Sequence, residues 1–458
     1  MQIFLCIFAE NKPFIPSGGR MEILQILTEV YRVLARPIVP VFLGVGIILT
    51  IKTRFLQFRA FPRFWHLLTK GTRRADAKGN LKTINPIHAL FTAMATTLGM
   101  GSIVGPSIAI MTGGPGALFW MVAYAFFAGI IKFSEVTFAV HTRKKTEAGD
   151  VISGPTQYLK LVHSWLARWY GLVIVFVFAI WSGVQANTLA WIFEMEHIPR
   201  WQTGAALAIL VLLVLSGGAK RVGKVASKLV PIMCFFYVSF ALLILFKDPA
   251  ALKSALYSVF ADAFTPAAAT GAFLGASVFS AMSAGIFKSI YATEAGLGTS
   301  SIAHSVADVK NPSDQGVLAM FSVVADALFS FISGLLILVT GLWTVGETNL
   351  DNTLMYQVFK VNSPTLGRFV LLLSIGLFVT TTVIGNSFNG TQSFGSMTRH
   401  RWIGAYLLFT AFIIFAGALV SVPLVWKLVD IMIILVAVPN VIGVAILAFK
   451  KPQILKVK

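Results

Sequence analysis

The sequence predicts an all-α polytopic membrane protein of about eleven transmembrane helices, one lead helix followed by two inverted sets of five. Three observations carry this. The chain has a mean hydropathy of +0.80, and only 12% of its residues are charged, against roughly 25% in soluble proteins. Apolar runs of about 20 residues, the length that crosses a bilayer core, recur along it. Two of these runs are interrupted by glycine and small polar residues at corresponding places in the two halves, which is how many transporters build a site at mid-membrane.

The elements follow in order. Residues 1–20 open with MQIFLCIF, a short apolar run for a signal peptide, and no small-residue cleavage site follows. They read as a leader, with Met21 as an alternative start. Residues 22–35 place apolar side chains at helical spacing with charge opposite, as an interfacial helix does. The transporter domain runs over 36–458, and its lead span covers 37–52. Arg54, Arg59, Arg63, Lys70, Arg73, Arg74, Lys78 and Lys82 follow it, which marks the cytoplasmic side and puts the N-terminus outside. Further spans are predicted at 86–113, 117–141, 168–193, 203–217, 229–246, 270–291, 315–343, 366–392, 402–421 and 424–449. Counted from outside, the cytoplasmic loops are basic: 141–145, 220–228, Lys288 with Lys310, 399–401 and the tail from Lys450. The outer loops 247–269 and 346–365 hold few lysines or arginines, and the C-terminus falls in the cytoplasm. The net charge of +19 therefore reads as positive-inside topology and attraction to anionic lipid, not as nucleic-acid binding. Cys6 and Cys234 make neither a disulfide framework nor a metal site.

Residues 92–116, TAMATTLGMGSIVGPSIAIMTGGPG, organise the first half, 84–246. Glycine costs about 1 kcal/mol in a helix interior and proline about 3. In lipid the freed peptide groups must find polar partners. A helix broken near Gly99–Gly105, with loose backbone lining a polar site, meets both conditions; close helix packing through small residues is the alternative. The matching span of the second half, 270–449, is 270–291, with Gly271, Gly275 and Gly285 among Ser277, Ser280 and Ser283. The second break is expected there. No Ser-His-Asp pattern, phosphate-cradling loop or Cys/His cluster is present, so neither an enzyme nor a nucleotide-driven pump is indicated.

Seven strings together resemble the alanine or glycine:cation symporter family, also described as sodium:alanine symporters. They are RFLQFRAFP (54–62), INPIHALFTAMATTLGMGSIVG (84–105), AIMTGGPGALFWM (109–121), KFSEVTFAVHTR (132–143), QANTLA (185–190), TEAGLGTSSIAH (293–304) and AVPNVIG (437–443). The resemblance implies the inverted five-plus-five, LeuT-like fold of amino acid–polyamine–cation transporters. It also implies uptake of a small neutral amino acid, alanine or glycine, driven by sodium, with no other cofactor and with one chain as the transport unit. Three motifs depart from the family pattern. Its usual G-T-G-N-I-A-G reads Gly99-Met100-Gly101-Ser102-Ile103-Val104-Gly105. Its N-E-A-G reads Thr293-Glu294-Ala295-Gly296. Its W-S-Y-Y-G-E reads Asn386-Ser387-Phe388-Asn389-Gly390-Thr391.

A zwitterionic substrate needs donors for its carboxylate and acceptors for its ammonium, which helix ends at a break supply. The backbone at Gly99, Gly101, Ser102 and Ile103 is the expected carboxylate site, and carbonyls of Ala276–Phe279 the expected ammonium site. Phe273, Phe279 and Met282 are the expected apolar wall. On the resemblance, Gln185, with Asn187, faces the same cavity. Sodium prefers hard oxygen ligands. The resemblance places them at Thr381 and Thr382 and at core-helix carbonyls from Thr96 to Gly99, whereas back-bonding of the threonine hydroxyls to their own helix is the structural alternative. Lys132 and Glu135 are spaced to pair on one helix face near its cytoplasmic end. Glu294, Asp326 and Asp430 are candidates for gating or proton-linked roles, with structural ion pairs as the alternative. His88 and His304 are expected in polar loops flanking the breaks. A proton-coupled transporter of the same fold is the runner-up function, and an ion channel is a further alternative.

Overall fold

The computed structural model describes residues 37–71, 83–146, 151–265, 278–344, 354–420 and 422–457, with positions 26, 27, 29, 30, 33, 34 and 149. The leader, most of the interfacial helix, Phe273 and Ala276 lie outside the described residues. Almost everything described is helical: α1 (Ile38–Lys52), α2 (Phe61–Lys70), α3 (Pro86–Thr97), α4 (Met100–Gly113), α5 (Gly116–His141), α6 (Ser164–Glu194), α7 (Arg200–Leu215), α8 (Gly218–Lys247) and α9 (Pro249–Ala261). Then come α10 (Val278–Thr293), α11 (Thr299–Ser305), α12 (Pro312–Thr340), α13 (Leu354–Asn362), α14 (Leu366–Thr398), α15 (Ile403–Leu419) and α16 (Val422–Lys450). A two-residue hairpin, β1 (Lys144–Lys145) with β2 (Val151–Ile152), follows α5.

Seven units are long and apolar enough to cross a membrane: α3 with α4, α5, α6, α8, α12, α14 and the 429–450 part of α16; α1, α7 and α15 are shorter apolar helices. Starts are written locally. Asn85 accepts from Ile87 N at 2.8 Å just before Pro86, and Asp248 accepts from Ala251 N at 2.9 Å just before Pro249. Both are side-chain N-caps followed by the proline that a first helical turn tolerates.

Two predicted loops are helical. The basic stretch 220–228 forms the first turns of α8, because Arg221, Lys224 and Lys228 are exposed while Val222, Ala226 and Val230 are buried. Helical spacing puts its charge and its apolar surface on opposite faces. The outer segment 247–269 contains α9, which packs on α12 and α5.

The first break lies where the sequence puts it. α3 ends at Thr97, α4 restarts at Met100, and Leu98 and Gly99 lie between them. The second is expected within 270–291, of which 270–277, with Gly271, Gly275 and Ser277, lie outside the described residues. α10 runs unbroken through Ser280, Ser283 and Gly285, and the interruption is at 294–298, after which α11 begins. Gly285 serves packing instead: a Cβ there would lie 2.2 Å from Ala117 O. The backbone turns at Glu294 (φ 54°), Gly296 (φ 91°) and Gly298 (φ 78°), three left-handed residues in five, which no helix accommodates.

Candidate substrate and ion site

The two breaks face one another. Gly101 abuts Tyr291 and Ala292, while Gly113 abuts Ala281 and Ala284, so α10 runs antiparallel to α4 with its C-terminal end at the first break. At the far ends of these two helices, Ile84 N donates to Val306 O at 3.0 Å and Asp308 N to Ile84 O at 2.8 Å, pinning the start of α3 to the end of α11. Arg143 reinforces this collar by donating to Ala307 O at 2.6 Å, Val309 O at 3.0 Å and Ser305 O at 3.4 Å. Arg143 lies outside the spans, and burial lowers its pKa from the ordinary arginine value.

At the first break Gly99 N and Ser102 Oγ both donate to Thr97 O at 3.0 Å, and Ser102 N donates to Gly99 O at 3.1 Å. In the opening turn of α4, Ser102 N is taken by Gly99 O, whereas Met100 and Gly101 have no carbonyl of their own helix one turn behind them, and the turn stands at the positive end of the helix dipole. Gly101, Ser102 and Ile103 belong to that turn, and Ser102 and Ile103 are fully buried.

α14 closes this edge. Thr382 Oγ1 donates to Ala95 O at 3.0 Å, and a Cβ on Gly99 would meet the same hydroxyl at 2.5 Å. Thr382 therefore stands on the carbonyl end of α3. Thr381 points elsewhere: its hydroxyl bonds back to Leu377 O at 2.9 Å and Phe378 O at 3.0 Å beside Met233. It lies in a mostly apolar crevice, too narrow to hold a water molecule, with Ala95, Val222, Val225, Ala226, Ile384 and Gly385. The Thr96 hydroxyl bonds back to Ala93 O at 2.8 Å.

Four buried charges brace the breaks. Lys132 and Glu135 do not pair with each other. Lys132 Nζ donates to Thr293 O at 3.1 Å and lies 3.5 Å from Asp326, whose other oxygen accepts from Thr97 at 2.9 Å. Glu135 accepts from Asn440 Nδ2 at 2.5 Å, and Asn440 also donates to Gly296 O at 2.9 Å. Both charges are wholly buried, not snorkelled to the cytoplasmic edge, because each finds its partner on another helix. Glu294 sits at the N-terminus of α11, where it accepts from Thr299 at 2.5 Å and Ser300 at 3.4 Å. That end of a helix favours an acid.

Several expected residues lie elsewhere. Phe279 is 65% exposed and, with Met282, lies beside the Gly113 end of α4, about four turns from Gly99. Val278 and Phe279 are in continuous helix, so their carbonyls are not freed by a break there. Asn187 turns away from the site: its Nδ2 donates to Gly417 O and Val420 O, both at 2.7 Å, closing the end of α15. Its residue number differs from Gln185 by two, which on a helix means nearly opposite faces. His304 is buried in α11, not in a loop, and its Nδ1 meets Gln315 Nε2 at 2.7 Å.

Gln185 is buried on the face of α6 that packs on α14. Gly171 abuts Met397 and Phe178 abuts Gly390, so the antiparallel register puts Gln185 opposite residue 383, beside Thr382. Its Oε1 has no hydrogen-bond partner. One turn further along α14, Asn386 and Asn389 are also fully buried. Sequence reasoning recorded them as departures from a motif and did not place them at the site. Two carboxamides three residues apart in an apolar span were the available signal.

Comparison with known proteins fits this geometry. The profile of the sodium:alanine symporter family matches residues 21–457. The uncharacterized transporter YflA of Bacillus subtilis is 33% identical, over 90% of this chain and 88% of its own length. The sodium/alanine symporter AgcS of Methanococcus maripaludis is 31% identical, over 89% of this chain and 90% of its own. The probable sodium/glutamine symporter GlnT of Bacillus subtilis is 28% identical, over 90% and 85% respectively. Among solved structures, MhsT in complex with L-phenylalanine superposes with a TM-score of 0.60 at 14% identity, covering 81% of this chain and 90% of MhsT. The two share a fold.

Proposed function

We propose that this chain, which belongs to the sodium:alanine symporter family, imports a neutral amino acid together with sodium by alternating access. The family is one of transporters, and the chain is an integral membrane protein. The observation that carries the reading is the contact at the first break, where the hydroxyl of Thr382 stands on the Ala95 carbonyl and against the Gly99 backbone, with the opening turn of α4 beside it. Sodium takes the oxygen side of this junction: Thr382, the carbonyls of α3 from Thr96 to Gly99, and Thr381 after rotation from its own helix. The substrate carboxylate takes the N–H groups of Gly101, Ser102 and Ile103, and Gln185 closes the site from α6.

The same reading assigns 84–246 and 270–449 as two inverted halves behind a lead helix, eleven spans in all, with the N-terminus outside and the C-terminus in the cytoplasm. Sodium binding orders the first break and completes the substrate site, so each ligand raises the other's affinity by the same factor. One sodium ion crossing about 100 mV supplies ~2.3 kcal/mol. A tenfold gradient adds about 1.4 kcal/mol, giving several hundredfold accumulation.

The test is counterflow in proteoliposomes with a panel of neutral amino acids, with and without sodium. Sodium-dependent exchange is expected, and Thr382→Val should raise the sodium concentration for half-maximal exchange. Exchange that ignores sodium and follows a pH step would replace sodium with a proton; currents that do not saturate would indicate a channel.

A further inference from the structure

Asn386 and Asn389 are wholly buried, and none of their four side-chain polar atoms has a hydrogen-bond partner. A buried amide left without a partner costs several kcal/mol in an apolar setting, and the cost is no smaller in a span that cannot admit bulk water. Such a pair is retained for something that bonds to it.

Their position narrows what that is. Thr382, Asn386 and Asn389 are four and then three residues apart, so they share one stripe of α14. The same face carries Gly385, whose Cβ position lies 2.5 Å from Thr96 Cγ2 on α3. Gln185 approaches this stripe from α6 at the level of residue 383 and brings a fifth unpartnered polar atom. A rise of 1.5 Å per residue puts Asn386 about 6 Å and Asn389 about 10 Å from the level of Thr382. A glutamine side chain extends about 5 Å from its Cα and a hydrogen bond adds about 3 Å, so from the break it reaches the level of Asn386, with Asn389 at the edge of that reach.

We infer that Asn386 and Asn389 receive the substrate's side chain, and that this side chain ends in a carboxamide. Each asparagine presents one acceptor and one two-proton donor, and a carboxamide matches that pairing with both of its ends. An alanine methyl would leave all four atoms unpaired. A site built to bond a polar group rejects an apolar analogue of equal size strongly.

This inference rests on the amino acid importer reading above. The experiment is sodium-driven uptake of labelled glutamine and of labelled alanine into proteoliposomes, each competed by unlabelled glutamine, asparagine, serine, methionine and leucine. Glutamine or asparagine should compete at least tenfold better than methionine or leucine. Asn386→Leu and Asn389→Leu should each erase that margin. If methionine matches glutamine in the wild-type protein, the inference is overturned whether or not the variants fold, while the importer reading stands. An unchanged ranking in folded variants also overturns it, and assigns the carboxamides to structural water. If serine alone outcompetes, the group recognised is a hydroxyl and the carboxamide assignment is wrong. If no amino acid is taken up with sodium, the importer reading fails and the inference fails with it.

Discussion

Replacing Gly99 with alanine tests the proposed ion site at its tightest point. Gly99 has φ −134° and ψ −156°, extended backbone that any residue adopts, so the substitution carries no backbone penalty of its own. Its cost is steric. The new methyl would lie 2.5 Å from Thr382 Oγ1 and 3.3 Å from its Cγ2. Thr382 must rotate or α14 must retreat, and either movement breaks the bond to Ala95 O. The hydrogen bond is worth about 1 kcal/mol, and overpacking adds typically 1–3 kcal/mol, here about 1 because a single methyl is involved. Borne by the sodium-bound state, a loss of about 1–2 kcal/mol raises the half-saturating sodium concentration some five- to thirtyfold.

The assay is a sodium titration of amino acid uptake in proteoliposomes, with thermal unfolding in detergent as the control for folding. Thr382→Ala removes the colliding hydroxyl, so the double variant should lose less than the two single variants together. The coupling follows from a contact that neither single variant leaves intact. An unchanged sodium half-saturation in Gly99→Ala would refute the reasoning. So would single-variant losses that add to within about 0.5 kcal/mol.

Other perturbations have definite outcomes. Lys132→Met strands the buried Asp326 carboxylate and removes the donor to Thr293 O; a loss of roughly 3–5 kcal/mol is expected, read as a large fall in melting temperature. Pairing it with Asp326→Leu should recover most of that loss, because no uncompensated charge remains. Asn187→Leu removes two hydrogen bonds at the end of α15, worth about 1 kcal/mol each. It should lower the melting temperature and leave both sodium dependence and substrate ranking intact. Arg143→Gln weakens the collar at Ala307 and Val309, and a cysteine introduced by Thr92→Cys should then react faster with a thiol reagent added from the cytoplasmic side. Equal labelling rates would show that the collar holds without Arg143.

The fold was largely legible because it is written in run length, proline starts and charge between spans, all of which act locally. The first break was legible for the same reason: Gly99 and Gly101 disfavour a helix wherever they stand. The interruption at 294–298 was not foreseen, because glycine has two uses that composition does not separate. Gly285 is needed for close approach to Ala117, while Gly296 and Gly298 are needed for left-handed backbone. Glu294, the non-glycine residue that opens the turn with positive φ, gave no compositional warning. Long-range partners were the least legible. The spacing of Lys132 and Glu135 allowed an intrahelical pair, yet each spends its charge on a different helix, and only the packed structure decides that.

The two interruptions differ in how their peptide groups are used. Thr96 lies twelve residues beyond Ile84 (96 − 84), and Glu294 lies twelve before Val306 (306 − 294), so equal chain lengths lead from the pairing of Ile84 with Val306 to the two breaks. The arm through α3 is helical and rises about 18 Å. The arm through α11 has seven helical residues, about 10 Å, and leaves the remaining ~8 Å to 294–298, within reach of five residues at up to ~3.3 Å each. That turn is already engaged by the protein. Thr293 O accepts from Lys132, Gly296 O from Asn440, Leu297 O from Tyr170 at 2.8 Å, and Gly298 O from Ser301 at 2.6 Å. The first break meets its neighbours through two hydroxyls, Thr382 on Ala95 O and Thr97 on Asp326. The proposed site at the first break accords with this difference, because the carbonyls of Thr293, Gly296, Leu297 and Gly298 already hold partners within the protein.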